Sequence, residues 1–186
     1  MNIGFAMCGS FCTFDAVFPV MEFLTREHTV IPIFSTVSST TDSRFGTAAA
    51  HIQKATDICG RKPLCSIAEV EPIGPKKLLD ILVIAPCTGN TLAKLASSIA
   101  DGPVTMAAKS HLRNGRPILV AISTNDALAG AAENIGKLLG RKHYYFVPFG
   151  QDDPERKPTS IVAHFEKLPQ ALNLTIEGKQ MQPILL

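Results

Sequence analysis

Apolar and polar positions alternate in blocks along this chain, and the period changes from block to block. Asn2 to Met7 is a short apolar run that reads as a strand, broken by Cys8-Gly9-Ser10. Over 13–27 the apolar positions Phe14, Val17, Phe18, Met21 and Leu24 recur at spacings of three and four, which predicts a helix. Pro19 falls inside it and either kinks the helix or lies in its first turn, because proline has no backbone N–H to donate. Thr29 to Phe34 is rich in β-branched and apolar residues and predicts a second strand, with Pro32 pointing to a sheet edge or a strand start. The hydroxyl cluster Ser35 to Thr41 leads into a helix predicted over 43–59, with Phe45, Ala48, Ala49, Ile52 and Ala55 inward. Gly60 ends it. Residues 61–77, with Pro63, Pro72, Gly74 and Pro75, read as an irregular connection long enough to cover a site or form a subunit contact.

The most apolar run is Leu78 to Ile84, a strand predicted over 80–85. It turns small and polar at Ala85-Pro86-Cys87-Thr88-Gly89-Asn90-Thr91, and then Leu92, Leu95, Ala96 and Ile99 give a helical spacing. Asp101-Gly102-Pro103 separates that helix from another at about 103–113. Ile118 to Ile122 is a further buried strand, ending in Ser123-Thr124-Asn125-Asp126, where Asn125 or Asp126 caps a helix running to about 139. Tyr144 to Val147 predicts a short strand, and 148–159 a loop rich in Pro, Asp and Gly. Residues 160–173 read as a last helix with Ile161, Val162, Phe165 and Leu168 inward and Pro169 disturbing its end; 174–186 form a tail. Strands alternating with helices predict a three-layer α/β sandwich around a mostly parallel, Rossmann-like sheet, built as one domain over 1–186.

In such a sheet the turns at 8–10, 35–39, 85–91 and 123–126 fall on one edge, the carboxyl ends of the strands, where ligands bind. Together they predict one composite pocket rich in backbone N–H, hydroxyl and amide groups and almost free of charge. That lining suits a flat heterocycle bearing a phosphate better than it suits hydrolysis. Gly9-Ser10, between strand and helix, is a phosphate cradle or an ordinary turn. Likewise the Ser35 to Thr41 cluster and Asn90 either meet a ligand or only cap helices, and Pro86 either meets a ligand or only shapes its turn. No Gly-x-Gly-x-x-Gly and no Gly-Lys-Ser/Thr is present, which disfavours dinucleotide and P-loop sites of the common kinds.

Composition narrows the rest. The formal net charge is +2 with basic residues dispersed, so nucleic acid is not the partner. No apolar run reaches the roughly 18 residues of a membrane span, and the N-terminus lacks the basic region of a signal peptide; a cytosolic location is expected. The five cysteines form no Cys-x-x-Cys pair and read as free thiols, with no metal site and no disulfide framework. His51, alone on its helix, reads as structural rather than catalytic.

At this point the chain resembles the FMN-binding cysteine decarboxylase group of homo-oligomeric flavoproteins. Ala85-Pro86-Cys87-Thr88-Gly89-Asn90-Thr91 is similar to that family's Pro-Ala-Ser-Ala-Asn-Thr motif, keeping Pro86, Asn90 and Thr91. Thr36-Val37-Ser38-Ser39 resembles its Thr-x-Ser-Ala phosphate loop, Gly9-Ser10 its first turn, and Asn125 the asparagine of its Pro-x-Met-Asn turn. The resemblance implies a flavodoxin-like fold, a homo-oligomer and an FMN site. Gly9, Ser10, Thr36 and Ser38 would meet the phosphate; Pro86, Thr88, Asn90 and Thr91 the ribityl chain or ring; Asn125 the substrate or the ring edge. Along its whole length the chain is most similar to a two-subunit branch of that group, through Gly4 to Thr13, Ala85 to Thr91 and Gln151-Asp152-Asp153-Pro154. This implies an NADP-binding partner subunit and oxidation of a small dihydropyridine-type dicarboxylate. The family's decarboxylases carry a catalytic histidine before the strand that leads to their motif. Residues 67–79 contain none, so no catalytic residue is assigned. A non-catalytic partner with a vestigial or phosphate-occupied pocket, and an FMN-dependent phosphopantothenoylcysteine decarboxylase-like enzyme, are the alternatives.

Overall fold

The computed structural model describes residues 1–186. Its strands are β1 (Asn2–Met7), β2 (Thr29–Phe34), β3 (Ile81–Cys87), β4 (Ile118–Thr124), β5 (Tyr144–Phe146), β6 (Phe149–Gly150) and β7 (Ile161–Ala163). They form one seven-stranded sheet in the order β2-β1-β3-β4-β7-β6, with β5 also beside β4. β1 to β5 run parallel in the flavodoxin-like order. β3 lies in the middle and is buried along its whole length, which is why its sequence is continuously apolar instead of alternating. β2 is an edge strand, as Pro32 predicts.

The helices are α1 (Phe14–Thr25), α2 (Thr36–Thr40), α3 (Ala48–Cys59), α4 (Ile67–Val70), α5 (Gly89–Ala96), α6 (Pro103–Leu112), α7 (Ala132–Leu139) and α8 (Leu168–Ile176). α1 packs with α8 and with α3, while α5 packs with α6 and α7. The result is the expected three-layer α/β sandwich, held by a single cluster of 48 buried apolar residues. No helix is long and apolar enough to cross a membrane.

Several elements differ from the sequence expectation, each for a local reason. Pro19 lies inside α1 beyond its first turn. The helix expected over 43–59 starts later: a loop follows α2, and α3 begins only at Ala48, where Thr47 caps it by accepting from Ala50 N. Phe45 and Ala49 are therefore exposed, not inward. Residues 61–77 are only partly irregular: Ser66 and Glu69 make a reciprocal capping box for α4, which packs on α6, while Leu64 pairs with the end of β2, Phe34 N donating to Leu64 O at 2.9 Å. Residues 125–131 form turns, so α7 begins at Ala132 rather than at a cap by Asn125 or Asp126.

The largest difference is at 160–173. Ile161 to Ala163 is a strand, β7, antiparallel to β4 through Ser123–Val162 and Thr124–Ile161. Pro169 sits in the first turn of α8, where its missing N–H costs nothing, and does not disturb the end. The tail folds back on its own sheet: Phe149 N donates to Ile184 O at 2.9 Å and Leu186 N to Phe149 O at 3.1 Å.

Candidate functional site

The carboxyl ends of four parallel strands converge as the alternation predicts. Cys8 N donates to Pro86 O at 3.1 Å and Ser35 N to Met7 O at 3.0 Å, which ties the exits of β1, β2 and β3 together. The Ser10 hydroxyl lies 2.7 Å from that of Ser123, which brings in β4. Two adjoining hollows open on this edge, sharing Gly9, Thr88 and Asn90. The smaller, about 260 Å³, runs past Thr36 and Thr91 to Lys94 and the start of α6. The larger, about 670 Å³, is floored by Ser10, Ser123 and Asn125.

The turn from β3 into α5 is built from within. The Thr88 hydroxyl accepts from Thr91 N at 3.4 Å and lies 3.1 Å from the Thr91 hydroxyl, capping α5. Thr91 Oγ1 donates to Cys8 Sγ at 3.3 Å beneath the floor. Gly89 must lack a side chain: a Cβ there would lie 2.7 Å from Asp126 Oδ1 and 2.8 Å from Thr124 Oγ1. Those two atoms are themselves joined, with Thr124 Oγ1 donating to Asp126 Oδ1 at 2.5 Å.

Of the residues singled out from the sequence, Gly9, Ser10, Thr36, Thr88, Asn90, Thr91 and Asn125 line one or both hollows. Ser38 and Pro86 do not. Ser38 is fully buried and its hydroxyl donates to Met7 O at 2.8 Å, so it clamps α2 to the end of β1. Pro86 is a buried residue of β3 that follows a cis peptide; its carbonyl, not its ring, is used, by Cys8. Cys8 and Cys87 lie buried under the floor, where burial pushes the Cys87 thiol well up, while Cys12 is exposed at the rim of the larger hollow.

The expectation of a nearly uncharged pocket is corrected. Lys94 and Asp101 face the smaller hollow, paired at 2.9 Å, and Lys94 holds the Asp101 carboxyl below its usual range. Arg44, Asp126, Asp152 and Lys157 face the larger one. Arg44, Asp152 and Lys157 arrive on segments whose position the sequence does not show: the loop between α2 and α3, and the 151–160 loop that β7 folds back across the end of β4. A long Pro/Asp-rich loop in a compact domain is the one signal available for the second. No histidine lines either hollow. His51 is buried among Phe11, Phe14 and Phe18, and burial lowers its pKa.

The donor set fits FMN. Gly9 sits so close to α2 that a Cβ would lie 2.9 Å from Val37 Cγ1, leaving backbone and not side chain at the shared wall. The Thr36 hydroxyl and the Asn90 amide line the hollows and are not tied up by hydrogen bonds within the chain. Hydroxyls, amides and helix-start N–H groups with one lysine are the chemistry a phosphate and a ribityl chain require.

Comparison with known proteins agrees with this geometry. The Flavoprotein family model matches residues 1–148. The chain is 45% identical over 185 residues to the B subunit of dipicolinate synthase from Bacillus subtilis (strain 168), covering 99% of this chain and 92% of that protein. The crystal structure of the corresponding dipicolinate synthase protein from Bacillus halodurans C superposes with a TM-score of 0.91 at 44% identity, covering 100% of this chain and 95% of that one. Burkholderia xenovorans DmrB in complex with FMN shares the fold, with a TM-score of 0.70 at 17% identity over 95% of this chain and 96% of that one. The chain therefore belongs to the Flavoprotein family, among the relatives of the dipicolinate synthase B subunit.

Proposed function

We propose that this chain is the B subunit of a dipicolinate synthase. It works in the cytosol of a sporulating cell with an NADP-binding A subunit to oxidise a tetrahydro- or dihydrodipicolinate to dipicolinic acid. The observation that carries this is the 45% identity to such a protein over 99% of the chain. FMN binds at the strand ends. Gly9, Ser10 and Thr36 hold its phosphate, the Thr88–Thr91 turn meets the ribityl chain and ring, and Asn125 meets the substrate or the ring edge. When bound, the flavin supplies an electron-accepting ring, and the chain's own residues position it and exclude water. Ser38 and Pro86 act from beneath by holding α2 and the β3 exit in place. As in its flavoprotein relatives, the working form is a homo-oligomer.

The purified protein should show flavin absorbance, or gain it on titration with FMN, and Asn90→Ala should weaken that binding. A protein that never takes up FMN sinks the cofactor assignment. Dipicolinate formation is then assayed with the A subunit alone, this chain alone, and both. Full activity from A alone would defeat an essential role. A second reading, a non-catalytic partner that stabilises A, is favoured by one observation: no histidine reaches either hollow, and the histidine that the resembling decarboxylases carry before this strand is absent from 67–79. The same fact argues against a phosphopantothenoylcysteine decarboxylase-like activity.

A further inference from the structure

The larger hollow has one cation on each of two walls, and both are set there by local structure. Lys157 lies on the 151–160 loop, which is pinned over the end of β4. Thr159 Oγ1 donates to Asn125 O at 2.7 Å and Leu128 N to Thr159 O at 3.0 Å. The loop is also closed on itself, by Lys157 N to Asp153 O at 2.8 Å and Gln151 Nε2 to Pro158 O at 2.8 Å. Arg44 lies on the tight turn between α2 and α3, where Ser43 and Gly46 exchange backbone hydrogen bonds at 3.0 and 3.1 Å. Its guanidinium sits 4.8 Å from the centre of the Phe45 ring.

The two carboxylates in the same hollow are already engaged. Asp126 accepts from Thr124, and Asp152 accepts from Lys157 Nζ at 2.9 Å. The cations keep free donors. An ammonium has three donors and Lys157 gives one to Asp152; a guanidinium has five, and Arg44 gives none to the chain. The walls therefore keep unused donors on two positive groups, above a floor of serine hydroxyls and beside two carboxylates that each accept a bond from the chain.

We propose that Arg44 and Lys157 are the anion-holding residues of the larger hollow, each taking one carboxylate of a planar heterocyclic dicarboxylate. This rests on the function proposed above and adds the residues that select the substrate. Arg44 takes its carboxylate as a two-pronged fork and Lys157 as a point charge. A monocarboxylate of the same ring would satisfy only one wall.

The test is calorimetric titration of the full chain with dipicolinate itself, with and without FMN. Wild type is expected to bind. Arg44→Gln and Lys157→Gln should each weaken binding about tenfold, the loss of one charged hydrogen-bonding partner. Both positions are at the surface, so folding is not at stake. Lys157→Arg should restore most of the affinity, and pyridine-2-carboxylate should bind the wild type about as weakly as dipicolinate binds a single variant. Dipicolinate affinity unchanged in the double variant would overturn the proposal, as would a wild type that binds no dipicolinate in either state. FMN titration of the same samples separates the two levels. If dipicolinate binding depends on both cations while FMN never binds, the cation assignment stands and the flavin assignment fails.

Discussion

The Ser10 and Ser123 hydroxyls lie 2.7 Å apart although 113 residues separate them in the chain. This one bond joins the exits of β1 and β4 across the exit of β3 and forms part of the floor of the larger hollow. Ser123 is buried, so removing its partner leaves a hydroxyl with reduced bonding. Ser10→Ala and Ser123→Ala should each cost about 1 kcal/mol in urea unfolding, and the double variant little more than either single one. Additive losses would show that the two hydroxyls are not coupled.

Ser38 separates a structural hydroxyl from a ligand-facing one. Its Oγ donates to Met7 O and lies 2.9 Å from the Oγ of half-buried Ser35. Ser38→Ala should lower stability by about 1–2 kcal/mol, the range for a buried acceptor left without its donor. Thr36→Ala, at an exposed position on the smaller hollow, should leave stability within about 0.5 kcal/mol and weaken FMN binding instead. Urea midpoints and FMN titrations on the two variants check this; the opposite pattern would return the phosphate role to Ser38.

The strand ends are legible because each is a run of buried apolar residues cut off by Gly, Ser, Thr or Asn, and that contrast survives without any tertiary information. β3 is the clearest case: Ile81 to Cys87 is buried on both faces and then breaks into Thr88-Gly89-Asn90. What faces the hollows from a distance is not legible. Ile161 and Val162 fit a helical spacing with Phe165 and Leu168 as well as they fit a strand, and only pairing with Ser123 and Thr124 settles it. Once β7 is a strand, Asp152 and Lys157 are carried over the pocket. Arg44 is hidden because the gap between α2 and α3 depends on capping by Thr47, which hydroxyl-rich sequence alone does not place. Ser38 misleads because a hydroxyl next to a phosphate loop looks the same in sequence whether it points in or out.

Gly89 is set by contact and not by backbone angle. Its missing Cβ leaves room for Asp126 and Thr124, which would otherwise stand 2.7 and 2.8 Å from it. Gly89→Ala should push Asp126 off the first turn of α5 and break its 2.5 Å bond from Thr124. The expected cost is about 1–3 kcal/mol of stability, the usual penalty for an inserted methyl that neighbours must move to admit. Gly136→Ala, where nothing lies within reach of a Cβ and the residue is mid-helix, should instead be neutral or stabilising by up to about 1 kcal/mol. Equal effects from the two alanines, read as urea midpoints, would remove the contact explanation.

His111 fixes how stability depends on pH. It is buried on α6 with Nε2 3.0 Å from Pro117 O, and burial takes its pKa from 6.5 down to about 4. Because the folded value is the lower one, the unfolded chain binds a proton first as pH falls. Stability contributed by the neutral ring is full above pH 6.5 and is lost progressively down to about pH 4, where the folded state also takes the proton. The total is on the order of 3 kcal/mol. His51, also lowered by burial, adds a contribution of the same sign that is lost as pH falls below 6.5. Glu69, Asp101 and Asp152 have carboxyls held low, and their contribution is lost as pH falls into and below the ordinary carboxylate range. His111→Gln can still donate to Pro117 O but cannot titrate, so its urea midpoint should fall less than wild type's between about pH 6.5 and 4.5. An identical slope in the two proteins over that interval would assign the acid sensitivity elsewhere.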